Sequence, residues 1–74
     1  MATKATGVPC YDKAAPDEPI FVLRATDVFA PEVIRFWSEK ARRGGTRSTK
    51  VSDALACADA MEAWAVEHGS KIPD

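Results

Sequence analysis

The side chains that could do chemistry in this chain are few, and they are far apart in sequence. A nucleophile needs a base beside it and the base needs a group to orient it. His68 is the only histidine, and no nucleophile flanks it at a useful spacing. The two cysteines, Cys10 and Cys57, form no CxxC pair and no secreted-type framework, so two free thiols are expected and no metal set is expected. Carboxylates occur, but on helix-forming stretches where no environment separates their acidities for acid–base work. An enzyme is therefore not expected, nor a cofactor.

The densest functional signal is the segment Arg42-Arg43-Gly44-Gly45-Thr46-Arg47-Ser48-Thr49-Lys50. It leads into a predicted helix N-terminus, where free N–H groups and nearby guanidinium groups can hold a phosphate. It is not a P-loop, because GxxxxGK[ST] is absent. Two readings stay open: an anion or nucleic-acid contact through Arg42, Arg43, Arg47 and Lys50, or a solvated turn whose cations compensate the end of the preceding helix. Asp53, Asp59 and Glu67 on the next helix form a candidate acidic face. That acidity argues against a DNA-recognition helix. Phe36 and Trp64 lie at the margins of the predicted apolar stripes, and are either half-buried packing or anchors for a partner.

These groups must be positioned by a small frame. The chain has 74 residues and a net charge of −1, with seven basic and three acidic side chains over residues 24–50 and one basic and five acidic over 51–74. A domain of this size buries only about 60% of the surface its unfolded chain exposes. Residues 1–19, with Gly7, Pro9, Pro16 and Pro19, read as a flexible leader whose apolar content does not offset ordering entropy, and residues 1 to about 15 are expected to be dispensable. Met1 to Ala15 has no apolar core stretch of a signal peptide, and no run reaches the roughly 20 residues of a membrane span. A cytoplasmic location is expected.

Residues 20–74 then form one small domain. Ile20-Phe21-Val22-Leu23 is a short apolar run, either a buried strand or an extended segment packed on helices. With no second strand evident, the same segment of a second copy is a candidate pairing partner. The first helix is predicted over about 31–43. Pro31 suits its first turn, Phe29 can staple onto Ile34, and Val33, Ile34, Trp37 and Ala41 form the apolar face, with Trp37 expected in the core. Arg35, Glu39 and Arg42 point the other way, and Gly44 supplies a left-handed cap. The second helix is predicted over about 49–68, with Ser48 as N-cap, the stripe Val51, Ala54, Leu55, Ala58, Met61 and Ala65, His68 near the terminal carbonyls, and Gly69 as the stop. This alanine-rich stripe contributes little burial at about 25 cal/mol per Å². The expected architecture is mainly α: a helical hairpin with a short extended N-terminal segment, completed by dimerisation into a four-helix arrangement.

Several stretches also resemble a known group of proteins. They are Asp17 to Arg24 (DEPIFVLR), Ala30 to Ile34 (APEVI), Trp37, Ala60 to Trp64 (AMEAW) and Lys71 to Asp74 (KIPD). Together they resemble short proteins encoded by bacterial phages and prophages, over most of residues 17–74. Small size, the absence of catalytic motifs and this character are similar to anti-CRISPR proteins, inhibitors that mostly occupy a surface of a CRISPR effector. The resemblance implies a phage-type inhibitor of a host defence complex, a protein or ribonucleoprotein such as a type I CRISPR effector, blocked sterically or electrostatically. It carries over no active residue. The alternative from the residues themselves is a small nucleotide- or nucleic-acid-binding module using the basic turn.

Overall fold

A computed structural model describes residues 2–74. It contains three helices: α1 over Pro9–Lys13, α2 over Ala30–Arg43 and α3 over Ser48–His68. The protein is mainly helical, and only isolated bridges, no strands, occur among the described residues. The two long helices start and stop within a residue of the predicted bounds, because the signals that delimit them are local.

The leader carries more local structure than its composition suggests. Thr3 and Thr6 exchange backbone-to-hydroxyl hydrogen bonds at 2.8 and 3.1 Å, and Gly7 N–H bonds Thr3 O at 2.9 Å. α1 follows, with Pro9 opening it. It has no buried residue and packs on neither α2 nor α3. These bonds are all short-range, and α1 contributes no buried residue.

The apolar run Ile20–Leu23 forms no strand, and within it Leu23 alone is half-buried. Ile20, Phe21 and Val22 are all exposed, Phe21 to 87%. Extended pairing occurs further on. Lys71 N–H bonds Thr26 O at 2.9 Å and Val28 N–H bonds Lys71 O at 3.1 Å, a parallel bridge between the approach to α2 and the tail after α3. Gly69 turns the tail into this position with φ +91° and ψ 158°, a region essentially reserved for glycine.

α2 begins at Ala30, with Pro31 in its first turn. The cap residue, Phe29, offers no side-chain acceptor, and Asp27 substitutes for it. Its Oδ1 accepts from Phe29 N–H at 2.8 Å and its carbonyl from Ala30 N–H at 3.1 Å. At the other end Gly44 has φ −82°, and the left-handed residue is Gly45 at φ +89°. Thr46 N–H bonds Ala41 O at 2.9 Å and Gly45 N–H bonds Arg42 O at 3.3 Å. This is a Schellman motif one residue later than the sequence suggested. Ser48 is the first residue of α3 and not its cap. The N-cap is Arg47, and no side chain caps the helix.

The four residues between α2 and α3 turn the chain back, so the helices lie antiparallel and pack on each other. Their seam consists of small side chains. Ala30, Ser38, Val51 and Ala58 are buried, flanked by half-buried Ile34, Ala41, Ala54, Met61 and Ala65. Ser38 satisfies its hydroxyl locally by donating to Ile34 O at 2.8 Å. Trp37, expected in the core, is 44% exposed. The buried side chains of α2 are the small ones, Ala30 and Ser38. The seam row on α2 is therefore 30, 34, 38, 41, and Trp37 stands at its edge. Leu55 is likewise displaced from the α3 stripe to the surface.

The closing motif of α2 yields a paired test. Gly45→Ala forces a Cβ into a left-handed backbone and should cost about 1–2 kcal/mol. Gly44→Ala has ordinary φ and, at 3.4 Å from Lys40 O, ordinary contact; it should change stability by less than about 0.5 kcal/mol. Urea denaturation of both variants measures the difference, and equal losses would refute the assignment.

Candidate functional site

Helical periodicity divides α2 into three faces at about 100° per residue. The seam row lies between Val33, Phe36, Trp37 and Lys40 on one side and Arg35, Glu39 and Arg42 on the other. One interaction decides how these sides meet α3. Arg35 Nη2 donates to Asp59 Oδ1 at 2.9 Å and also pairs with Glu62. The polar side of α2 and the Asp59–Glu62 side of α3 therefore form one flank of the hairpin. The opposite flank gathers Val33, Phe36 and Trp37 of α2 with Cys57, Trp64 and His68 of α3.

On the polar flank, Arg35 reaches across the seam and does not point away from α3 as the spacing suggested, nor does it pair with Glu39. Hydrogen bonding to Asp59, then Glu62, raises the Arg35 pKa further above its ordinary value. Glu39 instead accepts from Arg42 Nη2 at 2.6 Å and Nε at 3.2 Å, and from Arg43 Nε at 3.1 Å. The Arg42 hydrogen bond, ahead of the nearby charges of Arg42 and Arg43, holds the Glu39 carboxyl below the ordinary glutamate value. The same contact raises Arg42.

These pairings disperse both charge patches read from the sequence. Of the four cations of the turn, Arg42 and Arg43 share Glu39. Arg47 and Lys50, at the start of α3, have no ion-pair partner among the described residues. In the acidic set, Asp59 is engaged by Arg35. Asp53 and Glu67 are exposed on another side of α3, fourteen residues or about 21 Å apart. No compact acidic face results.

The two aromatic candidates are both exposed, one on each long helix. Phe36 is 66% exposed on the outward side of α2, with Lys40 Nζ 5.6 Å from its ring centroid. Trp64 is 41% exposed and stacks on His68, with centroids 4.1 Å apart and ring planes at 15°. His68 Nδ1 lies 3.0 Å from Trp64 O, so the imidazole serves a carbonyl near the helix end, as its position suggested. Trp37, taken from the sequence as core, joins this flank.

Sequence reasoning missed one feature, an open groove of about 520 Å³ at the α2 N-terminal end. Val28, Phe29 and Val66 supply apolar wall, and Arg35 and Glu62 the polar floor. The one available signal was Val66, an apolar residue outside its helix stripe. Both cysteines are free, Cys10 exposed and Cys57 half-buried. Among the described residues, no group of three histidine, cysteine or acidic side chains stands close enough to hold a metal, and no helix is long and apolar enough to cross a membrane.

Comparison with protein-family models, with curated proteins and with solved structures finds no match.

The Glu39 cluster makes a pH prediction with a definite sign. A carboxyl whose folded pKa is depressed contributes stability that is present above its unfolded value and is lost as pH falls through the folded value. The end of α2 should therefore keep this contribution at pH 5 and lose it only below the ordinary value of 4.5. A carbon-detected NMR titration of the Glu39 carboxyl should place its midpoint below that of free glutamate. A midpoint at or above it would mean that the Arg42 contact does not persist in solution.

Proposed function

We propose that this protein is a non-enzymatic binding protein that covers a surface of a larger macromolecular complex, and that it self-associates to do so. The observation that carries the reading is the disposition of its large apolar side chains. Ala30, Val51 and Ala58 are the only buried apolar residues among those described, whereas Phe21, Phe36, Trp37, Trp64 and Val66 all face solvent. The accessible surface, 6088 Å², exceeds by roughly a third the ~4,500 Å² typical of a folded monomer of 8.0 kDa. Contiguous exposed apolar patches on a soluble chain mark interaction surfaces.

Trp37 and Trp64 are the proposed anchors toward the target. Tryptophan contributes large rigid area at interfaces, and both rings stand half-exposed on one flank. The target itself rests on the sequence resemblance. A phage-type inhibitor would act in the host cytoplasm on a bacterial defence complex, with a type I CRISPR effector as the specific candidate. It would act stoichiometrically, by occupancy.

The alternative, nucleic-acid binding through the basic turn, is weakened because Glu39 neutralises part of the charge of Arg42 and Arg43. Only Arg47 and Lys50 remain without an acidic partner, so few phosphates could be neutralised. Binding by several cations would weaken steeply with salt, whereas an aromatic interface would not.

The test is titration of the protein into a type I effector while DNA binding by the effector is measured. Inhibition should saturate near one inhibitor assembly per target site and vary little with salt. Trp64→Ala and Trp37→Ala should each weaken it by about 1–4 kcal/mol, with helicity retained because neither ring lies in the seam. Undiminished DNA binding at saturating protein would remove this target, and direct, salt-sensitive DNA binding by the protein alone would favour the alternative.

A further inference from the structure

Glu32, Phe36 and Lys40 stand one turn apart in a single i, i+4 row on the outward side of α2, away from the seam with α3. Phe36 is the most exposed large apolar side chain of this helix. Glu32 and Lys40 are both exposed, and neither has an ion-pair partner among the described residues. The other charged side chains of the helix behave differently: Arg35, Glu39, Arg42 and Arg43 are all paired. The row thus reads acid, aromatic, base, with the aromatic at its midpoint.

Such a row is complementary to itself when reversed. If two copies of α2 meet antiparallel about a two-fold axis through Phe36, each residue four before Phe36 faces the residue four after it in the other copy. Glu32 then meets the partner subunit's Lys40, the same contact recurs on the other side of the axis, and the two Phe36 rings meet at the centre. An interface of this type is isologous, which is the requirement for a closed dimer. We propose that the outward face of α2 is a homodimer interface, with Phe36 on the two-fold axis and two symmetry-related Glu32–Lys40 ion pairs at its rim.

The surface excess supports a second copy as the occupant. A standard interface removes about 800 Å² from each partner, and this chain exposes more than that beyond what a monomer of its mass ordinarily shows. Burying Phe36 beside the neighbouring Val33, 46% exposed, removes part of this excess. It also joins two hairpins through their α2 helices, and it leaves Trp37 and Trp64 for another partner. The inference rests on the self-association named under the proposed function and adds the face that performs it.

Charge reversal within one chain gives a test specific to this geometry. Sedimentation equilibrium over a micromolar to millimolar range should show wild-type protein at twice 8.0 kDa. Glu32→Lys and Lys40→Glu each place like charges together at both ends of the interface and should each raise the dimer dissociation constant by about tenfold or more. The double variant Glu32→Lys/Lys40→Glu restores opposite charges at both ends, and should return to within about threefold of wild type. An equimolar mixture of the two single variants should form heterodimers for the same reason. Phe36→Ala should weaken the dimer by about tenfold or more. All three positions of change lie on the exposed surface, and far-UV circular dichroism checks that helicity is unchanged. A wild-type protein that stays monomeric to millimolar concentration would overturn self-association and this interface together. A dimer indifferent to the single reversals, or not rescued by the double one, would overturn this face and leave self-association through another.

Discussion

The close approach of α2 and α3 along a row of small side chains is the constraint from which the other features follow. Ala30 and Ser38 of α2 and Val51 and Ala58 of α3 are the buried positions of the hairpin, and no aromatic ring is buried among them. Every aromatic residue of the hairpin stands outside the seam, while Ile34 and Met61 are half-buried along it. Trp37 moves to the edge of its own helix row, Leu55 leaves the α3 stripe, and Phe36 and Trp64 stand further out. Few apolar side chains are buried, and many large ones are left exposed. A seam of this kind makes a frame whose large side chains remain available for contacts with other molecules.

The polar groups reinforce this division. Arg35 crosses from α2 to Asp59 and Glu62 and concentrates the interhelical ion pairing on one flank. Exposed ion pairs of this sort contribute little to stability, but they specify which flank is polar. Glu39 gathers Arg42 and Arg43 at the end of α2, where cations are also favoured by the helix dipole. The loop beyond is shaped by backbone bonds of the Schellman motif. The ends of the long helices are thus closed by backbone and local side-chain contacts, and the tail beyond Gly69 is held by its bridge to the approach of α2.

The limits of α2 and α3 were legible because their signals are local. Pro31 stands in the first turn of α2, Gly44 and Gly45 follow its end, and Gly69 follows α3. The face of α2 that turns inward was not legible. Both 33, 34, 37, 41 and 30, 34, 38, 41 run at helical spacing, and hydrophobicity favours the first because it contains tryptophan. The alanines of α3 decide for the second, since only small partners can approach them closely. Asp53, Asp59 and Glu67 likewise looked like one set because they share a helix, yet their angular positions differ and Arg35 selects Asp59 alone. The extended run Ile20–Leu23 has strand-like composition but no neighbouring strand. The bridge forms instead at Asp27 and Lys71, a contact between segments 44 residues apart that no local pattern announces.

The amino-acid sequence by itself determined that this chain is mainly helical, where its two long helices begin and end, and that its apolar content is too alanine-rich for a large core. Those properties follow from interactions within a few residues and from composition. Only the tertiary structure decided which flank is polar, which aromatics are exposed together, and that the cations of the turn are partly neutralised. Periodicity states which side chains share a face of a helix. Which face is covered depends on the shape of the opposing surface, and that surface exists only once the chain has folded back on itself.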